Sequence, residues 1–176
     1  SIDPRNVPRP EAVRIAVAHH HVLAGTLKVR RVDGDFYGGT TGLAECVFHY
    51  EQGPSFRAWA NFNLGIIFGM GDFYSTYCPP SGAVLEIFPA RASGEFVLRF
   101  DGETDDEMYV TEDRLAQLKA LSEEAAAKET SIYEILCQLL IDHAAGASFE
   151  RLVTEANIVR RTRRRRIASV LSYYHC

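Results

Sequence analysis

The stretch Ser55-Phe-Arg-Ala-Trp-Ala-Asn-Phe-Asn-Leu64 alternates between apolar and polar side chains. Successive side chains of a β-strand point to opposite faces of a sheet, so this pattern predicts a strand with one buried face. The buried face would carry Phe56, Ala58, Ala60, Phe62 and Leu64. The outer face would carry Ser55, Arg57, Trp59, Asn61 and Asn63.

Short β-type runs, broken by Gly and Pro, lie on both sides of this strand. Besides residues 55–62, they are Gly25–Val32, Leu43–Tyr50, Gly82–Phe88, Glu95–Phe100 and Glu107–Val110. A short helix is predicted at Gly71–Tyr77, closed by Pro79 and Pro80. Strands at this spacing with one embedded helix favour a small barrel or a strongly curved sheet.

Helical periodicity begins at Thr111. Acids in the first turn and apolar residues at helical spacing predict a helix over Thr111–Ala127, whose charged far end suits an exposed connector. Three further helices are predicted, starting at residue 130 or 131, at Ser148 and at Thr162.

The predicted fold class is therefore α+β. It comprises an N-terminal β-rich, pseudobarrel-like domain at 1–110, a helical connector at 111–129 and a C-terminal three-helix, winged-helix-like module at 130–176.

Composition excludes several classes of protein. The chain has 176 residues and 47% hydrophobic content, enough to bury one good core or two small ones. It has no run of roughly 18–20 apolar residues to span a membrane, and Ser1–Pro4 lacks the basic and apolar regions of a signal peptide. We therefore expect a soluble, cytoplasmic protein. The end at Cys176, inside an apolar pattern, indicates a piece of a longer protein.

The cysteines are widely spaced and form no C-x-x-C pair. This spacing favours reduced, structural thiols over disulfides or a zinc site. The four positions are Cys46, Cys78, Cys137 and Cys176.

Basic charge is concentrated near the C-terminus, where six arginines occupy the seven positions 160–166. Residues 1–150 carry 12 basic and 22 acidic side chains, a net of −10, and residues 151–176 carry 7 and 1, a net of +6. The two segments together give the net charge of −4. Cations oppose the partial positive charge of a helix N-terminus, whereas both guanidinium groups and helix N-termini bind phosphate. Nucleic acid is therefore the leading predicted partner.

A helical wheel separates the arginines. With Thr162 as the N-cap, Arg161 lies just outside the helix, while Arg163, Arg164, Arg165 and Arg166 are arranged around its first turn. Arg163 falls toward the core, where its stem would pack with its head reaching solvent. A solvated basic face, and a patch that pairs with the acidic barrel, remain as alternatives.

The C-terminal segment resembles the HARE-type helix-turn-helix, a winged-helix relative found in bacterial RNA polymerase subunits, restriction systems and chromatin regulators. The resemblance covers about 45 residues and implies that the start of the last helix meets DNA. The sequence departs from the family in its arginine density and in lacking a β-wing. The matching segments are Ser131–Leu140, Ala147–Leu152 and Ile167–Leu171.

The β-rich half has a second resemblance. Its order of strands, the helix near Gly71 and the turn into the strand at Gly82 resemble B3-type DNA-binding pseudobarrels over about residues 20–100. That resemblance places Lys28, Arg30 and Arg31 on one DNA-contacting arm, with Arg57, Asn61 and Asn63 near it. Arg and Asn side chains hydrogen-bond to base edges, and aromatic rings stack on bases. Exposure by chance, or burial of Trp59 under a loop, is the alternative.

Three candidate chemical sites lack the partners that their chemistry needs. His19–His21 has no carboxylate or Cys at ligand spacing, and Asp101–Glu107 lacks the mid-loop Gly and distal Glu of a calcium loop. Gly69–Gly71 is not a phosphate-binding loop. We therefore predict no metal and no cofactor.

The sequence favours a non-enzymatic region, binding double-stranded DNA, of a larger bacterial regulatory or defence-type protein. Two alternatives remain. One is a protein-interaction module whose arginines dock an acidic partner or another domain of the same protein. The other is a ligand-binding or catalytic barrel around His19–His21, Trp59 and Tyr74.

Overall fold

The structure is a computed structural model that describes residues 12–174, and it divides into two compact units. The first unit contains residues 12–17, 21–79 and 83–104. The second contains residues 18–20, 80–82 and 105–174. Cys176 lies outside the described residues.

The first unit is built on one curled sheet of seven strands. The strands are β1 Val13–Val17, β2 Thr26–Lys28, β3 Leu43–Tyr50, β4 Ser55–Asn61, β5 Ile66–Phe68, β6 Ala83–Pro89 and β7 Glu95–Arg99. Their order is β1-β6-β7-β3-β4-β5-β2, and only β3 and β7 pair in parallel. The two edge strands, β1 and β2, contact each other, so the sheet forms a nearly closed barrel.

Seven α-helices complete the described fold. Three are short and lie among the strands: α1 His19–Ala24, α2 Gly34–Tyr37 and α3 Gly71–Tyr77. Four follow the sheet in the chain: α4 Glu112–Ala127, α5 Ile132–Asp142, α6 Phe149–Val159 and α7 Arg164–Tyr174. None of the helices within 12–174 has both the length and the apolar character that a membrane span requires.

The barrel core follows the alternation of β3 and β4. Ala58 and Ala60 are completely buried, and Ala58 pairs with the buried Cys46 of β3. These small side chains leave room for aromatic rings from elsewhere in the unit. Phe73 of α3 stacks on Phe56 with ring centroids 5.8 Å apart, so α3 packs directly on the core.

Four of the predicted strands were confirmed. The runs 43–50, 55–62, 82–88 and 95–100 correspond to β3, β4, β6 and β7, and the predicted helix at Gly71–Tyr77 is α3. The run 25–32 forms a strand only over Thr26–Lys28, because the chain turns into a 3-10 helix at Arg31–Asp33.

The predicted strand at Glu107–Val110 was wrong. The Asp105 carboxylate accepts hydrogen bonds from the backbone N–H groups of Glu107 and Met108, each at 3.0 Å, which closes a turn instead. Strands β1 and β5, and helices α1 and α2, were not predicted, because each is six residues or shorter and carries little periodic signal.

Helices α4, α5 and α6 begin where capping signals predicted. The side chains of Thr111 and Ser148 each accept a hydrogen bond from the third following backbone N–H group. Ser131 and Glu134 form a complete capping box at the start of α5. A side-chain oxygen thus satisfies an unpaired N–H group at each of these helix starts.

Helix α4 differs from the predicted connector. Its Leu118 and Ala125 are buried in the same core as Leu136, Ala156 and Ile167 from the three following helices. The second unit is therefore a four-helix arrangement that includes residues 112–127. No strand lies within the described residues 105–174, so they contain no wing.

Candidate nucleic-acid interface

The arginine run lies at the start of α7, in the second unit. Five of its side chains are exposed, and we call them the α7 arginine cluster. The cluster consists of Arg161, Arg163, Arg164, Arg165 and Arg166. The first turn of α7 contains no acidic residue. The cluster therefore combines exposed cations with the positive end of an eleven-residue helix.

Helix α7 starts one residue later than the predicted cap implied. The Thr162 hydroxyl donates to the carbonyl oxygen of Arg160 at 2.9 Å, so it does not cap the helix. The carbonyl oxygen of Arg163 instead accepts the first helical hydrogen bonds, from the N–H groups of Arg166 and Ile167. Arg163 is exposed, which corrects the expectation that its stem packs on the core.

Two members of the cluster have partners within the second unit. Arg164 forms a bidentate ion pair with Glu150. Its guanidinium carbon also lies over the Phe149 ring, 4.9 Å from the ring centroid. The hydrogen bonds that Arg164 donates to the Glu150 carboxylate raise the pKa of Arg164. Arg161 donates to the Asn157 side-chain oxygen at 2.5 Å. Because Glu150 is in the first turn of α6, the ion pair of Arg164 also links the start of α7 to the start of α6.

The tertiary contacts of α7 fix which way the cluster faces. Ile167 and Val170 are buried in the helical core, so the side of α7 that carries them is inaccessible. The turn before α7 is short, and Asn157 accepts the Thr162 N–H at 2.9 Å to hold it. Helices α6 and α7 are thus joined by a tight turn, and the cluster lies at the start of the second of them.

The first unit carries the other predicted binding residues. Lys28 of β2 and Arg57 of β4 are exposed on the outer surface of the sheet, and the half-buried Asn61 ends β4 on the same side. Trp59 is 50% exposed on the same surface, while Ala58 and Ala60 are buried beneath it. The prediction that Arg57 and Trp59 face solvent is confirmed.

The strand that carries them is shorter than predicted, because β4 ends at Asn61. Asn61 accepts the Leu64 backbone N–H at 3.0 Å, and Asn63 accepts the Gly42 N–H at 3.4 Å. Both side-chain oxygens thus stabilise the turn between β4 and β5. Leu64 is 65% exposed in that turn, which corrects its predicted place in the core.

Arg30, Arg31 and Asn63 meet in a cleft of about 630 Å³, which we call the turn cleft. It is lined by Val29, Arg30, Arg31, Gly34, Thr40, Thr41, Phe62, Asn63, Leu64 and Gly65. A Cβ atom at Gly34 would lie 2.5 Å from the Gly39 carbonyl oxygen, so only glycine at the start of α2 allows the chain that leaves this helix to pass so closely. Arg30 is held by the buried Asp33, with Nε 2.5 Å from Oδ2.

A buried ionic network in the second unit was missed. Glu155 of α6 is only 1% exposed, and its Oε1 accepts from Arg114 Nη2 of α4 at 2.6 Å. Arg114 also reaches Asp142 at 3.0 Å, and His143 Nε2 lies 3.0 Å from both Glu155 oxygens. In the sequence, Glu155 lies between Leu152 and Val159 on the apolar side of its helix. That position could have predicted a buried acid.

The histidines and the acidic run take structural positions. His19 and His21 belong to helix α1 rather than a strand, and His21 Nδ1 lies 2.7 Å from the Thr26 hydroxyl oxygen. Burial, and then the charge of Lys119, lower the pKa of His19. In the acidic run, Asp101 accepts the Glu103 N–H at 3.2 Å. Within residues 12–174, no group of three or more His, Cys, Asp or Glu side chains could hold a metal ion.

The constellation proposed for a catalytic barrel is not assembled around Trp59 and Tyr74. Tyr74 is buried in the core and donates its hydroxyl to the Thr26 carbonyl oxygen at 2.8 Å, whereas Trp59 lies on the outside of the sheet. Burial raises the pKa of Tyr74. Cys46, Cys78 and Cys137 are free thiols, and burial raises the pKa of Cys46 to about 11.

Compared with known proteins, the chain matches no family model, and no curated protein or solved structure is significantly similar to it.

Proposed function

We propose that this chain is a DNA-binding region whose α7 arginine cluster contacts the phosphates of a duplex. One observation carries the proposal: five exposed arginines surround the start of a helix whose first turn contains no acid. Phosphate accepts hydrogen bonds both from guanidinium groups and from the unpaired N–H groups of a helix N-terminus. Apart from Arg164, which pairs with Glu150, these cations bring the helix start no folding advantage that accounts for them.

The arrangement of α6 and α7 supports a helix-turn-helix mode of binding. The start of α7 is accessible, and its other side is anchored by Ile167 and Val170. In helix-turn-helix proteins, the N-terminal residues of the second helix enter the major groove. We infer that Arg165 and Arg166 contact DNA most directly, because Arg164 already pairs with Glu150 and Arg161 with Asn157.

The test is a salt-dependent titration of a fluorescent duplex by anisotropy. Each phosphate contact contributes about −0.9 to the slope of log affinity against log salt, so four contacts predict a slope of about −3 to −4. Changing Arg161, Arg165 and Arg166 together to Ser should flatten that slope by roughly 2 to 3 and remove most of the binding. Arg164→Ser should weaken binding less, because its guanidinium is shared with Glu150.

A matched control removes three exposed cations elsewhere. Arg91, Lys119 and Lys128 are exposed and lie outside the cluster, so changing them to Ser alters the net charge equally. This variant should keep most of the affinity. Equal weakening by both variants would point to general charge attraction, and unchanged affinity in the cluster variant would refute the proposal.

A further inference from the structure

Two exposed aromatic rings lie side by side on the outside of the barrel. Trp59 of β4 and Phe68 of β5 are directly opposite in the strand register, and they are 50% and 39% exposed. Their neighbours Ala60 and Ile67 are fully buried, so the register holds both rings on the outer surface. Neither ring stacks on another aromatic ring of residues 12–174. Together with Lys28 and Arg57, we call this surface the aromatic face.

Two cations and one acid flank the rings, although residues 1–150 carry a net charge of −10 (12 basic against 22 acidic). The acid is Glu45 of β3, which lies directly opposite Trp59 in the strand register. Arg57 lies two residues before Trp59 on the same side of β4, and its side chain is 79% exposed. Its ion pair with Glu45 is 3.4 Å long and open to water, so the guanidinium can exchange partners at little cost. Lys28 is exposed and lies opposite Ile66, which is two residues before Phe68 on β5.

The aromatic face leads toward the turn cleft. Side chains two residues apart on a strand are separated by about 6.5 Å, so Asn61 and Ile66 form the next row along β4 and β5. Beyond that row, the turn at residues 62–65 forms one wall of the cleft, and Arg31 lies on another. Rings, cations and a polar cleft therefore follow one another along the strands.

We propose that the aromatic face binds single-stranded nucleic acid, with unpaired bases stacked on Trp59 and Phe68. Lys28, Arg57 and Arg31 neutralise the backbone phosphates beside them. A duplex buries the faces of its bases, so a surface of exposed rings favours unpaired strands. Stacking also requires no base-edge hydrogen bonds, which agrees with the use of the Asn61 and Asn63 oxygens inside the turn. This site goes beyond the proposed function, because it uses another unit and another form of nucleic acid.

The chain has one tryptophan, so intrinsic Trp fluorescence reports on this surface alone. The full chain is titrated with an unlabelled oligodeoxythymidylate, with a hairpin duplex and with inorganic polyphosphate. The oligodeoxythymidylate should quench Trp59 strongly, since a stacked base lies directly on the indole. Polyphosphate, which has charge but no bases, should leave the fluorescence nearly unchanged.

Side-chain variants test the stacking itself by anisotropy with a labelled oligodeoxythymidylate. Trp59→Ala and Phe68→Ala should each weaken binding by about 5- to 150-fold, the range expected for one stacked base. Tyr173→Ala is the control, because Tyr173 is an aromatic residue that is even more exposed, at 76%, and lies outside the aromatic face. Both tested rings are on the surface, so circular dichroism should show unchanged folding.

Three results would overturn this inference. The first is that the oligodeoxythymidylate does not quench Trp59, and the second is that polyphosphate quenches it equally. The third is self-association of the chain that Trp59→Ala abolishes, because the face would then be a protein interface. The variant of Arg161, Arg165 and Arg166 separates the two proposals. Quenching that persists in that variant supports this site even if the duplex proposal fails.

Discussion

The starts of α5 and α7 lie in the same helical unit, but they differ in what stabilises a helix N-terminus. At α5, Ser131 and Glu134 form a capping box, and the acid sits in the first turn. At α7, the first turn holds three arginines and no acid. The unit therefore follows the rules of helix stability at α4, α5 and α6 and departs from them once. Such departures are expected at functional sites, where a partner compensates for the cost.

A second contrast separates the arginines of this unit by their partners. Arg114 is mostly enclosed, with Glu155 and Asp142 within hydrogen-bond distance. Arg163, Arg165 and Arg166 are exposed at the surface. The amino-acid composition counts all of these arginines alike, but Arg163, Arg165 and Arg166, unlike Arg114, present their guanidinium groups to an external anion.

The largest expected effect is on the enclosed arginine. Arg114→Ala leaves the Glu155 carboxylate buried with only His143 beside it, and should lower the free energy of unfolding by about 3–5 kcal/mol. Arg163→Ala should change it by less than about 0.5 kcal/mol. Denaturation followed by far-UV circular dichroism measures both. If Arg114→Ala costs no more than Arg163→Ala, the distinction between the two groups of arginines is wrong.

Replacing the buried ion pair by apolar residues sharpens that result. The double variant Arg114→Leu with Glu155→Leu removes both charges, so it should be clearly more stable than Arg114→Ala alone. Trp59 fluorescence reports on the first unit in the same samples.

The next effect concerns the caps. Ser131→Ala removes the side chain that accepts the Glu134 N–H, and should cost about 1 kcal/mol of stability. Thr162→Ala should cost less, because the Thr162 hydroxyl donates to the Arg160 carbonyl and caps no helix. Chemical denaturation of the two variants compares the helix starts directly. An equal loss would mean that Thr162 contributes to the start of α7 after all.

A smaller gain is expected from acids at the start of α7. Changing Arg165 and Arg166 to Glu places negative charge at the positive end of the helix, which should raise stability by about 0.3–1 kcal/mol for each residue. The same variant should lose affinity for duplex DNA. Thermal unfolding and anisotropy on one preparation test this trade-off. A variant that binds as well as the original chain would remove the functional reason for these cations.

The smallest effect is a pH dependence at α5. Hydrogen bonds from the Ser131 N–H and hydroxyl lower the pKa of Glu134, so folding favours its charged form. This contribution to stability is present above the ordinary glutamate pKa, and it is lost as the pH falls through the lower folded-state pKa. Melting temperatures of the original chain and Glu134→Gln should therefore differ more at about pH 7 than at about pH 3. A constant difference would contradict the assignment.

Long periodic segments of this fold were predictable. The alternation at residues 43–50 and 55–62 identified the two central strands, and capping residues located the starts of α4, α5 and α6. Four short elements, β1, β5, α1 and α2, were not predicted, because so few residues carry little periodicity and their structure depends on neighbours that lie far away in the chain. The same distinction between local patterns and distant contacts applies to the candidate site. Exposure of Arg57 and Trp59 could be predicted from alternation, but the pairing of Trp59 with Phe68 required the strand register.

By itself, the sequence determined the α+β class, the outward side of β4 and the concentration of arginine before Ile167. These properties follow from local spacing and charge. Only the tertiary structure decided which arginines have internal partners, because Arg114 and Glu155 are 41 residues apart and meet through helix packing. It also decided that Arg30, Arg31 and Asn63 share one cleft, because loops far apart in the chain converge there. Partners of this kind depend on distances in space, which local periodicity does not encode.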